Sequence, residues 1–238
     1  MARYVIQLDK DNIHLTTRPY LDKVESHTEP YETDVFGVSI TVLPGVMSPK
    51  YDWAGLYMIK WLPEDLSGKD VLEIGPGTGL VSVFAGLRGA RSVTAADINP
   101  TAVENTNINL QKHHIVNSKA VFSNVFEAVK GNTYDSIIFN LPYHNGKPNN
   151  DLEKGVIDEG YAAMIKFCEE VKTMLKDGGK IYLGFSQSGN VEKFKEVLDQ
   201  NNLHIEAFEE RDKWDDIDPA YSGPDFHYNC QVYTVSVK

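Results

Sequence analysis

The chain has 238 residues, 42% of them hydrophobic, two cysteines and a formal net charge of −11. That length buries a substantial core without metal or disulfide help, so Cys168 and Cys230 are expected as core thiols in a reducing compartment. No apolar run reaches the length of a membrane span and the first nine residues hold no signal-peptide stretch, which predicts a cytoplasmic protein with no membrane partner, while the acidity lowers the expectation of a nucleic-acid acceptor without removing it.

Residues 1–48 read as an N-terminal extension ahead of one domain at 49–238. Within it, Val35 to Val42 alternates as a half-exposed strand of a hairpin-like segment and ends at the Pro44-Gly45 turn. The apolar stretch Trp53 to Trp61 predicts a helix with both tryptophans in the core. From Asp70 onward short apolar strands alternate with helical periods, the pattern of a mostly parallel α/β sheet covered on both faces. Strands are predicted at Val71–Ile74, Ser92–Asp97, up to Ser123-Asn124, and at Tyr134–Phe139. Helical faces are Leu80, Val83, Phe84 and Leu87, then Ala102, Thr106 and Leu110 behind Pro100 in a first turn.

A polar segment, His144 to Asp158, reads as an extended loop, either a mobile lid over the acceptor or a disordered surface insertion. Tyr161, Met164, Ile165, Cys168, Val171 and Leu175 predict one face of a long helix, stopped at Asp177-Gly178-Gly179 before a strand at Lys180–Phe185. A helix at Val191–Asn201 and strands around Leu203–Phe208 and Tyr228–Val237 complete the chain, and the acidic tract Glu206 to Asp218 reads as a solvated loop. His113, His114 and His227 match no metal-ligand spacing, so no metal is expected.

Two constellations carry chemistry. The first is Glu73-Ile74-Gly75-Pro76-Gly77-Thr78-Gly79, a strand entering a glycine-rich turn and a helix. Such a turn lets the backbone approach a ligand and aims free N–H groups at it. Asp97 ends the next strand 18 residues after Gly79, where a carboxylate accepts from both ribose hydroxyls of a nucleoside. Leu80 stands where a nicotinamide fingerprint wants its third glycine, and Thr78-Gly79-Leu80 offers no phosphate-loop lysine.

The second is Asn140-Leu141-Pro142-Tyr143 at the carboxyl end of a buried strand, where open α/β sheets bind substrates. A planar nitrogen is a weak nucleophile because its lone pair is delocalised. Acceptors such as the Asn140 side-chain oxygen and the Leu141 carbonyl would pull its hydrogens out of plane, Pro142 would stiffen the turn, and Tyr143 would stack on the planar group.

The first constellation resembles the opening motif of the class I, Rossmann-like S-adenosylmethionine-dependent methyltransferases. The passage from residue 35 to 190 is similar to the release-factor glutamine and small-subunit guanine N-methyltransferases, whereas Asn-Leu-Pro-Tyr is the spelling of ribosomal-RNA adenine dimethyltransferases. The resemblance implies a sheet ending in an antiparallel C-terminal hairpin. It also implies S-adenosyl-L-methionine as cofactor, lying against Glu73, Gly75, Gly77, Thr78, Gly79, Asp97, Ile98, Asn124, Val125 and Asn140, with Asn140, Leu141, Pro142 and Tyr143 at the acceptor. Methyl transfer to an amide or conjugated amino nitrogen of a small molecule or protein side chain is the leading expectation. An RNA or DNA adenine or guanine acceptor, and a catalytically silent cofactor-binding module, are the alternatives.

Overall fold

The computed structural model describes residues 17–51, 54–211 and 230–237. Its first elements are helix α1 (Arg18–Glu25) and a two-stranded hairpin, β1 (Tyr31–Val35) and β2 (Val38–Val42). The alternating run from Val35 to Val42 is therefore not one strand. Phe36 and Gly37 both take left-handed backbone (φ 53° and 80°), the pair of angles a tight two-residue hairpin turn demands.

Helix α2 (Ala54–Trp61) leads to the main sheet, and Trp53, expected in that helix, lies outside the described residues. The sheet strands are β3 (Asp70–Ile74), β4 (Ser92–Asp97), β5 (Ser118–Phe122), β6 (Tyr134–Asn140), β9 (Leu175–Ser186), β10 (Leu203–Arg211) and β11 (Cys230–Val237). They are ordered β10-β11-β9-β6-β3-β4-β5. The run from β9 to β5 is parallel, and β11 is antiparallel to both β9 and β10. Helices α3 (Leu80–Leu87), α4 (Pro100–Lys112), α5 (Ala162–Glu170) and α6 (Val191–Gln200) make the connections. The order reverses between β3 and β6, so the connections leaving their carboxyl ends run to opposite faces of the sheet and leave a crevice between them.

Two apolar clusters cover the two sides of the sheet. Phe126, Phe139, Phe167, Phe194 and Tyr233 belong to one, and Leu56, Met58, Ile59, Val83 and Ile138 to the other, which also takes in Val35, Ile40 and Val42 of the hairpin. Trp61 packs against the second cluster and donates its indole N–H to Thr234 Oγ1 at 2.9 Å. Cys168 is fully buried, and burial pushes its thiol up to about 12.

Several expectations need correction. Leu87 is 51% exposed, because it falls in the last turn of α3 where the helix leaves the core. The helix expected through Leu175 ends at Glu170 and tightens into a 3₁₀ turn at Val171–Met174. Leu175 instead pairs with Tyr134, and Asp177-Gly178-Gly179 forms an irregularity inside β9, with Gly178 at φ 73°. The acidic tract is a strand as far as Arg211, and the rest of it lies outside the described residues, as do His227 and Tyr228.

Candidate active site

The crevice holds a cavity of about 430 Å³. Its floor is the strand-to-turn passage from Glu73 to Thr78. Gly75, Gly77 and Gly79 all take left-handed backbone, at φ 64°, 57° and 79°. Gly79 is required a second time by space, since a β-carbon there would lie 2.8 Å from Thr106 Cγ2 of α4. Thr106 Oγ1 in turn donates to the Gly77 carbonyl at 3.1 Å.

Two buried carboxylates face this cavity. Glu73 accepts from Ser82 Oγ, and burial raises its carboxyl to about 7. Asp97 accepts from the Gly77 and Asn99 amides at 3.2 and 2.8 Å, yet burial still lifts it to about 6. A carboxylate so placed gains most from a cationic or hydroxyl-bearing ligand that replaces the lost water. The amino and ribose groups of a nucleoside–amino-acid cofactor meet that need.

Among the residues singled out from sequence, Glu73, Gly75, Gly77, Thr78, Asp97, Ile98, Asn124, Val125, Asn140 and Pro142 share the wall of this one cavity. Gly79, Leu141 and Tyr143 stand outside it. Leu141 is buried in the first cluster and donates its amide to the Gly184 carbonyl at 3.0 Å. The Tyr143 ring leans on that cluster and on the His144 ring, 4.6 Å away between centroids. Val125 is a β-branched residue at φ 54°, a costly conformation held by Ser123, whose Oγ donates to the Val125 carbonyl and accepts from the Ala128 amide.

Sequence reasoning missed Met47, Ser123 and Ala163, and it took 144–158 for an extended loop. That segment is a packed flap: β7 (His144–Asn145) pairs in parallel with β8 (Ile157–Asp158), and Leu152, Val156 and Ile157 are buried against α1. Leu152, Gly155 and Ile157 line the cavity, so the polar composition hid a wall of the site. Asp158, also in the wall, caps α5 by accepting from the Ala163 and Met164 amides. His113 and His114 are apart from the cavity; His113 Nε2 is bonded to the Ser39 carbonyl at 2.7 Å. Among the described residues no His/Cys/Asp/Glu group is arranged to hold a metal ion, and no helix is long and apolar enough to cross a membrane.

A parallel sheet with an antiparallel C-terminal pair, a glycine turn after β3 and an acidic residue ending β4 define a class I methyltransferase site. The family model described as Methyltransferase small domain matches residues 37–215, and the chain belongs to that family. A candidate protein N5-glutamine methyltransferase of Methanocaldococcus jannaschii is 34% identical over 161 residues, 63% of this chain and 77% of that protein. The release factor glutamine methyltransferase of Aquifex aeolicus is 30% identical over 195 residues, 75% of this chain and 68% of its own length. Ribosomal RNA methyltransferases also match, and the chain spans under half their length. A candidate methyltransferase solved with S-adenosylhomocysteine superposes with a TM-score of 0.67 at 18% identity, covering 89% of this chain and 57% of that one. The protein is a methyltransferase that uses S-adenosyl-L-methionine.

Proposed function

We propose that the chain methylates an amide or conjugated amino nitrogen, with a protein side-chain amide the favoured acceptor. The observation that carries this reading is the place of Asn140 and Pro142 in the wall of the cofactor cavity at the carboxyl end of β6. The cofactor supplies a methyl group already activated by the sulfonium. The residues of the chain then have to hold the acceptor nitrogen in line with it, which is a positioning task. Asn140 Oδ1 and the Leu141 carbonyl accept the two hydrogens of the nitrogen and drive its lone pair toward the methyl group. Leu141, anchored in the core and tied to β9, holds its carbonyl still, and Tyr143 flanks the planar group from beside Pro142. Glu73 takes the amino group of the cofactor, Asp97 the ribose, and Asn124, Val125 and Ile98 surround the adenine.

Charge favours a protein or small-molecule acceptor over nucleic acid. The ionisable residues of the cavity wall are Glu73, Asp97, Asp151, Asp158 and Glu159 against the single cation Lys154, which is itself paired with Asp151 at 2.7 Å. A phosphate backbone approaching that wall meets repulsion rather than a grip. The names of the glutamine-methylating relatives point the same way. The test is radiolabel transfer from methyl-labelled cofactor to purified release factor, total RNA and a metabolite pool in parallel. Label on a glutamine of the release factor supports the reading; label on RNA alone replaces it with the nucleic-acid alternative, and cofactor binding with no transfer to any pool leaves the silent module.

A further inference from the structure

We propose that Met47 is a cofactor-binding residue, braced by helix α1, and that the two with the flap at 144–158 form a second wall of the cofactor site which sets how long the cofactor stays bound. Met47 lies between the glycine turn and the flap. A β-carbon at Gly77 would come 3.9 Å from Met47 Cβ, and one at Gly155 would come 3.1 Å from Met47 Cγ. Met47, Gly77 and Gly155 all line the cavity. Gly155 is not among the residues with positive φ, so its backbone does not call for glycine; the space taken by the Met47 side chain does.

The brace is built from outside the family match, which begins at residue 37. All three buried apolar residues of α1, Tyr20, Leu21 and Val24, belong to a third cluster with Leu152, Val156 and Ile157 of the flap, and Met47 packs against it. The apolar face of α1 is thus spent on the flap and on Met47. Tyr20 donates its hydroxyl to Met47 Sδ at 3.5 Å. Thr17 Oγ1, buried, is bonded to His144 Nε2 at 2.7 Å, and Arg18 reaches Glu153 at 3.2 Å, so the first residue of the flap and its middle are both tied to the start of α1. Met47 and the flap line this cavity, and moving either away from it breaks contacts with α1.

The test uses the full chain and S-adenosylhomocysteine, with affinity from calorimetry, release rate from stopped flow and melting temperature of the ligand-free protein. Met47→Ala is expected to weaken binding about tenfold, chiefly through faster release, while Met47→Leu, which refills the volume, stays within about twofold of the parent. Thr17→Val, outside the cavity, is expected to speed release several-fold with no change in cofactor contacts. A purely structural role for these residues would lower the ligand-free melting temperature and leave affinity and release rate alone. Wild-type affinity and release in folded Met47→Ala overturn the proposal. An effect of Met47→Ala with none from Thr17→Val overturns the brace and keeps Met47 as a binding residue. Should Met47→Ala fail to fold, Gly155→Ala, whose β-carbon would lie 3.1 Å from Met47 Cγ, displaces Met47 instead, and unchanged binding again counts against the proposal.

Discussion

Asn109 on α4 donates a side-chain N–H to the Thr78 carbonyl at 2.8 Å, and through the same carboxamide it bonds both the amide and the carbonyl of Thr41 on β2, at 2.9 and 2.8 Å. One fully buried side chain therefore joins the N-terminal hairpin to the glycine turn that floors the cavity. Asn105, one turn earlier, does the like for the Leu43 amide and the Thr41 carbonyl at 2.8 Å each. The hairpin edge is satisfied by two asparagines, and the position of the turn depends on them.

Asn109→Ala removes three hydrogen bonds worth about 1 kcal/mol each and takes the side-chain partner from the Thr41 amide and the Thr78 carbonyl, while the Thr41 carbonyl keeps Asn105. A loss of roughly 2–4 kcal/mol in stability is expected, together with weaker S-adenosylhomocysteine binding. Urea denaturation reads the first and calorimetry the second. Asn109→Asp keeps an acceptor for the Thr41 amide but no donor, so it should be no milder. Unchanged cofactor affinity in either folded variant would show that the turn holds its shape without α4.

Asp97→Ala should lower cofactor affinity about tenfold or more, the loss of charge-assisted hydrogen bonds worth roughly 1.5–3 kcal/mol. Asp97 also accepts from the Gly77 and Asn99 amides, so part of the loss will reflect a looser turn. Asp97→Asn, which can still accept from one of those amides, separates the two contributions. Calorimetry on both variants is the measurement; equal affinity for wild type and Asp97→Ala would remove Asp97 from the site.

If Glu73 and Asp97 bind the cofactor as proposed, binding is expected to depend on pH. Burial raises their folded-state values to about 7 and about 6, above the ordinary carboxylate range. Between the unfolded values and these, the native ligand-free protein binds more protons than the unfolded chain, so their contribution to stability falls as pH rises from about 4.5 to 7. A cationic, hydroxyl-bearing ligand favours the ionised forms, so affinity should move the opposite way. It should rise between pH 5.5 and 8, by up to about tenfold per pH unit for each proton released. Calorimetry in buffers of different ionisation enthalpy counts those protons, and Glu73→Gln should flatten the upper part of the profile. No proton release at pH 6.5 would refute the linkage.

Much of the cavity wall was legible because the residues that form it are local to strand ends. The glycine turn, Asp97 and Asn140 each sit at a strand end, and strand ends are marked by short apolar runs. What escaped depends on contacts distant in sequence. The flap read as polar because only Leu152, Val156 and Ile157 pack, and they pack on a helix more than a hundred residues earlier. On α4 the apolar reading of Ala102, Thr106 and Leu110 was right, yet Asn105 and Asn109 share that face at helical spacing and are equally buried. Polar residues on a buried stripe were the available signal, and their partners on β2 could not be named from periodicity alone. The helix expected to run to Leu175 kept its apolar spacing past Glu170 because Val171 and Met174 remain core residues in the 3₁₀ turn.

The last prediction concerns Gly184, which faces Asn140 across the β6–β9 pair. A β-carbon at Gly184 would lie 2.5 Å from Asn140 Oδ1 and 3.0 Å from Met58 Sδ. The carboxamide lines the cavity and can yield into it, but only by leaving the place from which it is proposed to meet an acceptor nitrogen. Asn140→Ala should reduce turnover by about a hundredfold or more, as loss of a positioned polar group in the transition state does, with fold and cofactor affinity nearly intact. Gly184→Ala keeps every atom of Asn140 and shifts it, so its turnover should fall in the same direction while calorimetry still reports normal cofactor binding. Tyr143→Phe should be mild, because a stacking role needs the ring and not the hydroxyl, and Tyr143→Ala should raise the acceptor Michaelis constant. Steady-state kinetics on the acceptor found by label transfer is the measurement. Full turnover by folded Asn140→Ala would mean that the nitrogen is oriented by other groups, and full turnover by Gly184→Ala alone would mean that Asn140 acts from a second side-chain position.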